Sequence, residues 1–493
     1  MASAVSGLDA ATRAGYEPVI GLEVHVQLNT RSKAFCGCST TFGAPPNSQT
    51  CPVCLGLPGA MPVLNREAVV KAARTALALG CQLRERSIFA RKNYFYPDLP
   101  KGYQISQYDR PLAEEGGLEI PAAAGNPARR IGITRIHLEE DAGKSLHEGF
   151  ADSERFSYVD LNRSGVPLIE IVSEPDLRAP AEAHAYLSRL KQILLFLDVS
   201  DCNMEEGSLR CDANVSVRRR DDPKFGAKIE IKNLNSFRYL QQALEYEIER
   251  QIETLENGGR LRQETRLYDA ASGRTHPMRS KEQAHDYRYF PEPDLPPLIV
   301  DAAWREEVAA SLPELPAARQ RRWQSAWGLT AYDAEVLTGT PAQAEYFEAA
   351  AKASENPKVT ANWIMGELSA RLNAQGLDWN RVPMPPGHVA ELVRILDAGT
   401  ISGKMAKEVF EQAWKTGRSP RQIVEESGAR QITDPAAIDA ILDGVLAAHP
   451  TQVEQYKKGK VALLAFLVGQ VMKASRGQAN PELAQARIKA RLD

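Results

Sequence analysis

The sequence predicts an α+β N-terminal domain built on an antiparallel sheet, followed by an all-α middle domain and a small all-α tail domain. Short runs of alternating apolar and polar residues fill the first 290 residues, with a few helical patterns between them. Neither a helix nor a central strand continues through the proline-rich segment 290–297. Beyond that segment helical periodicity dominates. The expected divisions are a disordered N-terminus at 1–15, the α+β domain at 16–294, a helical domain at 298–400 and a helical tail at 401–493.

Length and composition exclude several classes of protein. The chain has 493 residues, of which 43% are hydrophobic and 25% are charged, as in ordinary globular proteins. No run approaches the roughly 20 apolar residues that span a bilayer. The first 15 residues lack the basic start and apolar core of a signal peptide. We therefore expect a cytoplasmic protein that has no membrane partner.

Three amphipathic helices are expected within the first domain. Asn65 is placed to cap the first of them, and Asn235 or Ser236 is placed to cap the third. Leucine and isoleucine recur at helical spacing in the second and third, so each has one apolar face. The three helices are expected at 66–79, 181–197 and 238–255.

Several predicted strands place charged residues on one face. In Val19–Leu28, Glu23, His25 and Gln27 alternate with a continuous apolar face. The segments 131–141, 209–217 and 227–232 add further polar residues: Arg135, His137, Glu139, Glu140, Asp141, Arg210, Asp212, Asn214, Ser216, Lys228, Glu230 and Lys232. A half-solvated antiparallel sheet alternates in this way without any site. The alternative is a site for a divalent cation and an anion, in which oxygen ligands suit Mg²⁺ and one histidine is also compatible with Mn²⁺ or Zn²⁺.

Four of the seven cysteines lie close together between residues 36 and 54. Cys36 and Cys38 are followed, after twelve intervening residues, by Cys51 and Cys54. This spacing is typical of two knuckles that close on one tetrahedral metal, and four thiolates favour structural Zn²⁺. The other interpretation is a set of small unpaired hydrophobic residues.

The charge is unevenly distributed along the chain. The net charge is −3, yet residues 400–493 contain 14 Lys or Arg against 10 Asp or Glu. A basic tail on an acidic body indicates that a polyanion binds at one end while other chemistry occurs elsewhere.

Nine segments distributed over nearly the whole chain carry a family resemblance. They are Val19–Val26, Arg91–Asp98, Lys101–Ser106, His137–Lys144, Val159–Arg163, Met204–Asp212, Lys232–Phe237, Tyr287–Asp294 and Gly469–Ser475. In these segments the chain resembles the B subunits of the tRNA-dependent aspartyl/glutamyl amidotransferases.

The resemblance implies a cradle-shaped first domain and a specific reaction. In this family ATP phosphorylates the side-chain carboxylate of Glu or Asp misacylated on tRNA(Gln) or tRNA(Asn), and ammonia then displaces the phosphate. Such a chain is a ligase subunit that uses ATP with Mg²⁺. An amidase A subunit supplies ammonia from glutamine, and a small C subunit completes the heterotrimer. A nucleophile motif for releasing ammonia is not recognisable in the sequence, which agrees with that division of labour.

The resemblance also implies the site residues. The family's metal and phosphoryl-transfer site corresponds to Glu23, His25, Glu139 or Glu140, Asp212 and Glu230. Alignment favours Glu140 of the adjacent pair, although strand phase places Glu139 beside His137. The candidate phosphate and nucleotide contacts are Arg210, Lys228 and Lys232.

The tail resembles the family's tRNA-binding domain. The candidate phosphate contacts are Lys457, Lys458, Lys460, Lys473 and Arg476. An ordinary solvated helical surface is the other interpretation of these residues.

The rival functions are a non-catalytic tRNA-binding scaffold, the archaeal-type relative that serves Glu-tRNA(Gln) alone, and a ligase for free amino acids. The sequence leaves open which of the two charged tRNAs is the physiological substrate.

Overall fold

The computed structural model describes residues 8–122, 125–278, 287–428, 431–432, 434–475 and 477–492. Its contacts divide the chain into two compact units, one ending at Pro316 and the other beginning at Ala317. The first unit is mixed α and β, and the second is helical. This confirms the predicted fold class.

Most strands of the first unit join one large sheet. The strands are β1 (Tyr16–Gln27), β2 (Gln82–Leu83), β3 (Arg86–Ser87), β4 (Ala90–Asn93), β5 (Tyr103–Ser106), β6 (Ala113–Ile120), β7 (Arg129–Glu140), β8 (Lys144–Leu146), β9 (Tyr158–Asp160), β10 (Pro167–Ser173), β11 (Leu209–Arg219), β12 (Ile229–Lys232), β13 (Glu264–Asp269), β14 (Arg274–Pro277), β15 (Phe290–Pro291) and β16 (Leu298–Ile299). The sheet has nine strands in the order β14-β13-β12-β11-β1-β10-β7-β6-β2. All its pairs are antiparallel except β12 with β13. β15, β4 and β5 form a smaller sheet of three strands.

The helices of both units follow the apolar periodicity of the sequence. In the first unit they are α1 (Ala10–Ala14), α2 (Arg66–Ala78), α3 (Pro180–Phe196), α4 (Phe237–Glu256) and α5 (Ala302–Ala310), and α6 (Pro316–Trp327) begins at the division. In the second unit they are α7 (Ala331–Leu337), α8 (Pro341–Ser354), α9 (Pro357–Trp363), α10 (Ser369–Gln375), α11 (Pro386–Asp397), α12 (Gly403–Thr416), α13 (Pro420–Ser427), α14 (Pro435–Ala448), α15 (Pro450–Lys457), α16 (Leu463–Ala474) and α17 (Pro481–Leu492). A π-helical turn, Ile364–Leu368, joins α9 to α10.

The three helices expected in the first domain are present, within one residue of the expected bounds at each end. The Asn65 side chain accepts a hydrogen bond from the amide of Glu67, and Ser236 rather than Asn235 caps α4. α3 and α4 pack together, and their leucines are buried in the same core as the apolar face of β1. The opposite face of β1 is thereby left to the polar residues.

Three details of the predicted division differ from the structure. Within 1–15, residues 10–14 form a helix because Asp9 caps it, and residues 1–7 lie outside the described residues. The first unit extends beyond 294 because Val300 and Val308 are buried in its core. Residue 400 does not separate two packed bodies, since α11 packs against both α12 and α13. A separate small core begins only at Ile438.

Candidate functional site

The polar face of β1 gathers side chains from its two neighbouring strands. β1 lies between β10 and β11, and residues paired across an antiparallel ladder point to the same face. His25 is paired with Glu170 on one side and with Arg210 on the other. Glu170 is in turn paired with His137 of β7. The sheet therefore brings together, on one face, residues that lie more than a hundred positions apart.

The centre of this face is a histidine between two carboxylates. His25 Nε2 lies 3.3 Å from a Glu170 oxygen and 3.8 Å from a Glu139 oxygen. His137 Nε2 lies 3.6 Å from Glu170 and 3.7 Å from Glu139. One ligand atom from each of His25, Glu139 and Glu170 falls within 4.8 Å of the others. One nitrogen and two carboxylate oxygens form a donor set that suits Mg²⁺ or Mn²⁺.

The charged groups of this centre stabilise the ionised forms of one another. Burial alone lowers the pKa of His25, but the hydrogen bond and charge of Glu170, with the charge of Glu139, raise it to about 9. Burial raises the pKa of both carboxyl groups, but His137 and Lys92 help to hold each pKa below its ordinary value. Both carboxylates are thus ionised at neutral pH. A divalent cation bound here would take the place of the imidazolium proton.

Glu139 and Glu140 lie on opposite faces of β7. Glu139 joins His25, whereas Glu140 forms an ion pair with Lys101 and accepts a hydrogen bond of 2.9 Å from the amide of Ile105. Consecutive residues of a strand point in opposite directions. The structure therefore places Glu139, and not Glu140, beside His25. Which of the two belongs to a metal site stays a prediction.

A second group of predicted residues lies farther along the same face. Lys232 pairs with Asp212, and its Nζ is 3.5 Å from a Glu230 oxygen. Asn214 lies opposite Glu230 in the β11–β12 ladder and donates to Glu23 over 2.8 Å. These residues form a polar strip beside His25, and the charge of Asp212 also helps to raise the pKa of His25.

The two remaining predicted phosphate contacts are placed differently from each other. Arg210 donates to Asp141 over 2.8 Å, so its guanidinium is held close to the polar face. Lys228 is exposed and precedes the first residue of β12.

The four clustered cysteines lie together, apart from the carboxylate centre. Their sulphur atoms are all within 4.8 Å of one another, and Cys51 Sγ is 3.9 Å from Cys54 Sγ. The hydrogen bond from the Cys36 thiol and the charge of Lys33 lower the pKa of Cys54 to about 4. Four sulphurs bound to zinc at about 2.3 Å would be separated by about 3.8 Å, so this cluster fits a tetrahedral metal.

The predicted tail contacts lie on and between the last helices. Lys457, Lys458 and Lys460 are exposed at the end of α15 and in the turn that follows. Lys458 forms an ion pair of 2.6 Å with Glu454, and Lys473 is exposed in the last turn of α16. Arg476 lies outside the described residues.

Sequence reasoning assigned no role to Glu170 or Lys92, and it named Arg135 only among the polar residues of the segment 131–141. Glu170 is the one charged residue of the otherwise apolar β10, and this isolated carboxylate was the available signal. Arg135 lies on the same face of β7 as Glu139, with a guanidinium nitrogen 3.6 Å from Glu170. The approach of Lys92 comes from the smaller sheet, and no local pattern predicts it.

Among the described residues, no helix has both the length and the apolar character needed to cross a membrane.

Two family models match the chain. The model described as GatB/GatE catalytic domain matches residues 18–306, and the one described as GatB domain matches residues 345–492.

Several curated proteins resemble the chain over almost its full length, and three of them are named as the B subunit of an aspartyl/glutamyl-tRNA(Asn/Gln) amidotransferase. The protein from Carboxydothermus hydrogenoformans is 57% identical over 477 residues, which cover 97% of this chain and 99% of that protein. The one from Moorella thermoacetica is 58% identical, with 97% and 100% covered. The one from Geotalea daltonii is 57% identical, with 94% and 97% covered. The chain therefore belongs to the family of aspartyl/glutamyl-tRNA(Asn/Gln) amidotransferase B subunits.

Proposed function

We propose that this chain activates the side-chain carboxylate of Glu or Asp misacylated on tRNA(Gln) or tRNA(Asn), using ATP, and then directs its amidation. The observation that carries the proposal is the convergence of His25, Glu139 and Glu170 on one sheet face, beside Lys92 and the Asp212–Lys232 pair. A carboxylate is a poor acyl donor, and an acyl phosphate is a good one. Phosphoryl transfer requires chiefly positioning and neutralisation of charge.

In this proposal the carboxylate centre holds Mg²⁺ through His25, Glu139 and Glu170. Bound Mg²⁺ supplies neutralisation of phosphate charge during transfer. The protein's own cations extend that role, since Lys92 and Lys232 are both held close to the carboxylates of the polar face. Lys232 is 36% exposed at its side chain, so it remains accessible to an incoming phosphate.

The remaining assignments follow from the same proposal. The cysteine cluster is a structural zinc site, because four cysteines leave no open coordination position. The exposed lysines of the tail bind the tRNA backbone. Ammonia comes from an amidase A subunit, and a C subunit completes a heterotrimer. The reaction takes place in the cytoplasm, where charged tRNA is made.

The test is phosphate release from γ-labelled ATP by the reconstituted complex of three subunits. Glu-tRNA(Gln), Mg²⁺ and ammonium are supplied, so that the glutaminase is bypassed. Glu170→Gln and Asp212→Ala are compared with Glu119→Gln, an exposed glutamate of β6 in the same sheet. We expect tRNA-dependent turnover that falls at least about a hundredfold in the first two variants and is unchanged in the third.

Two results would contradict the proposal. Unchanged turnover in correctly folded Glu170→Gln would favour a non-catalytic tRNA-binding scaffold. Turnover with free glutamate in place of charged tRNA would favour an amino-acid ligase. Zinc content measured on the same preparations checks the separate assignment of the cysteine cluster.

A further inference from the structure

Two tyrosines form a stacked pair at the surface of the first unit. The rings of Tyr108 and Tyr289 are parallel within 7°, and their centroids are 4.1 Å apart. Tyr108 is 48% exposed although its ring is apolar. Offset parallel stacking is one of the arrangements that aromatic pairs prefer, so the two rings stabilise each other's orientation.

The backbone beneath Tyr289 is firmly anchored. The Asn93 side-chain amide donates to the carbonyls of Tyr287 and Arg288 over 3.0 and 2.8 Å. Arg288 has a φ of 45°, in the left-handed region that a non-glycine residue rarely adopts. Such a conformation persists only where neighbouring contacts determine it.

Tyr108 is anchored from the other side. It follows Gln107, whose buried side-chain oxygen accepts hydrogen bonds from the amides of Leu112 and Leu138 over 3.1 and 3.0 Å. Both rings are therefore held on fixed segments. A planar surface that is fixed in advance binds a planar ligand without an ordering cost.

The stacked pair borders the carboxylate centre. Lys92 Nζ lies 5.1 Å from the centroid of the Tyr287 ring, and that ring is 6.0 Å from the ring of Tyr289. The charges of Glu139 and Glu170 act on the same lysine. A ligand that places its phosphate or carboxylate beside Lys92 would thus carry the rest of its structure toward the tyrosines.

We propose that Tyr108 and Tyr289 form a stacking platform for an adenine base, which deepens the proposed function and rests on it. Adenine is shared by ATP and by the 3′-terminal nucleotide of tRNA, to which the amino acid is esterified. In both molecules the base lies a short distance from the group that reacts. Stacking on tyrosine suits any planar base, and Lys92, next to the Tyr287 ring, supplies a cation for the anionic part of either ligand.

Equilibrium binding to the reconstituted complex tests the platform. The probes are AMP-PNP with Mg²⁺, and a tRNA transcript compared with the same transcript lacking its terminal adenosine. Tyr108→Leu removes the ring, Tyr108→Phe retains it, and Tyr332→Leu is the matched control because Tyr332 is 69% exposed on α7. We expect Tyr108→Leu to weaken binding by about five- to hundredfold, with Tyr108→Phe and Tyr332→Leu near wild type.

The two probes identify the source of the base. Weaker AMP-PNP binding by Tyr108→Leu assigns the platform to ATP. Loss of the affinity difference between the two transcripts assigns it to the tRNA terminus. If Tyr108→Leu binds both probes as wild type does, the platform proposal is wrong. If the wild type binds neither probe, the proposed function fails as well.

A second measurement tests the platform even if the Tyr108→Leu variant does not fold. Wild-type complex is photolabelled with 8-azido-ATP and, separately, with tRNA ending in 8-azidoadenosine. Labelling of a peptide that contains Tyr108 or Tyr289 by either probe supports the platform, and labelling confined to other peptides overturns it.

Discussion

Replacing Arg91 by alanine is expected to destabilise the first unit by about 3–5 kcal/mol, because it leaves a buried carboxylate without its partner. Two guanidinium nitrogens of Arg91 each lie 2.8 Å from a Glu292 oxygen, and a third contact of 3.1 Å reaches Asp294. The Glu292 side chain is completely buried and that of Arg91 is 19% exposed. This bidentate pair fastens β15 to β4 across some two hundred residues of sequence.

The assay is hydrogen–deuterium exchange of peptides that contain β4 and β15. A loss of 3 kcal/mol corresponds to roughly 150-fold faster exchange through the opened state. Peptides from α8 and α11 provide an internal control, since they belong to the other compact unit. The matched control variant is Arg418→Ala, whose ion pair with Glu426 is exposed, and its expected cost is at most about 1 kcal/mol.

A double variant separates the charge from the packing. Arg91→Met combined with Glu292→Gln removes both charges and retains most of the side-chain volume. We expect it to be more stable than Arg91→Ala, because no charge is left buried and unpaired. Exchange of the β4 and β15 peptides in Arg91→Ala that stays within about fivefold of wild type would refute this reasoning, since the buried pair would then contribute no more than the roughly 1 kcal/mol of a surface pair.

Three further predictions concern the carboxylate centre, the cysteine cluster and the second unit. Glu139→Gln should weaken Mn²⁺ binding, measured by electron paramagnetic resonance, by at least about tenfold, whereas Glu140→Gln should leave it unchanged because that side chain faces away; equal losses would contradict the assignment of faces. Cys54→Ser should abolish bound zinc in elemental analysis of purified protein, and full retention would contradict a four-cysteine site. Burial raises the pKa of Glu348, but its hydrogen bond to Arg322 helps to lower it to about 2 from 4.5. Glu348→Gln should therefore cost about 1–3 kcal/mol above pH 5, and the difference from wild type should fade as pH falls from about 4.5 toward 2 in acid-unfolding curves; a pH-independent difference would contradict an electrostatic origin.

Local patterns were sufficient for the three helices expected in the first domain and for the facing of β1. The alternation in Val19–Leu28 predicted which face of β1 carries Glu23 and His25, and a single residue, Ser236, ends the ambiguity over the cap of α4. Such features depend on chain geometry within a few residues. They can therefore be predicted from a single sequence.

Contacts between strands that are distant in sequence could not be predicted from local patterns. Glu170 reaches His25 only because β10 is the neighbour of β1, and strand order does not follow from alternation. The same limit applies to Arg91 and Glu292, and to Lys92, which approaches from a different sheet. For Glu139 and Glu140 the local rule was available, and strand phase correctly placed Glu139 on the same face as His137.

Because Glu139 and Glu140 point to opposite faces of β7, the site is sensitive to insertions and deletions in that strand. One step along β7 separates the carboxylate that faces His25 from the one that neutralises Lys101. A slip of one residue in the β7–β10 ladder would exchange these two environments without altering a single amino acid. The β7–β10 ladder already contains an irregularity between Val172 and Ser173. The register of the pairs from Pro167 to Val172 is therefore fixed relative to that irregularity. An insertion or deletion of one residue between the irregularity and Glu139 would therefore be as damaging to the site as loss of a ligand, while an insertion of two would restore the facing.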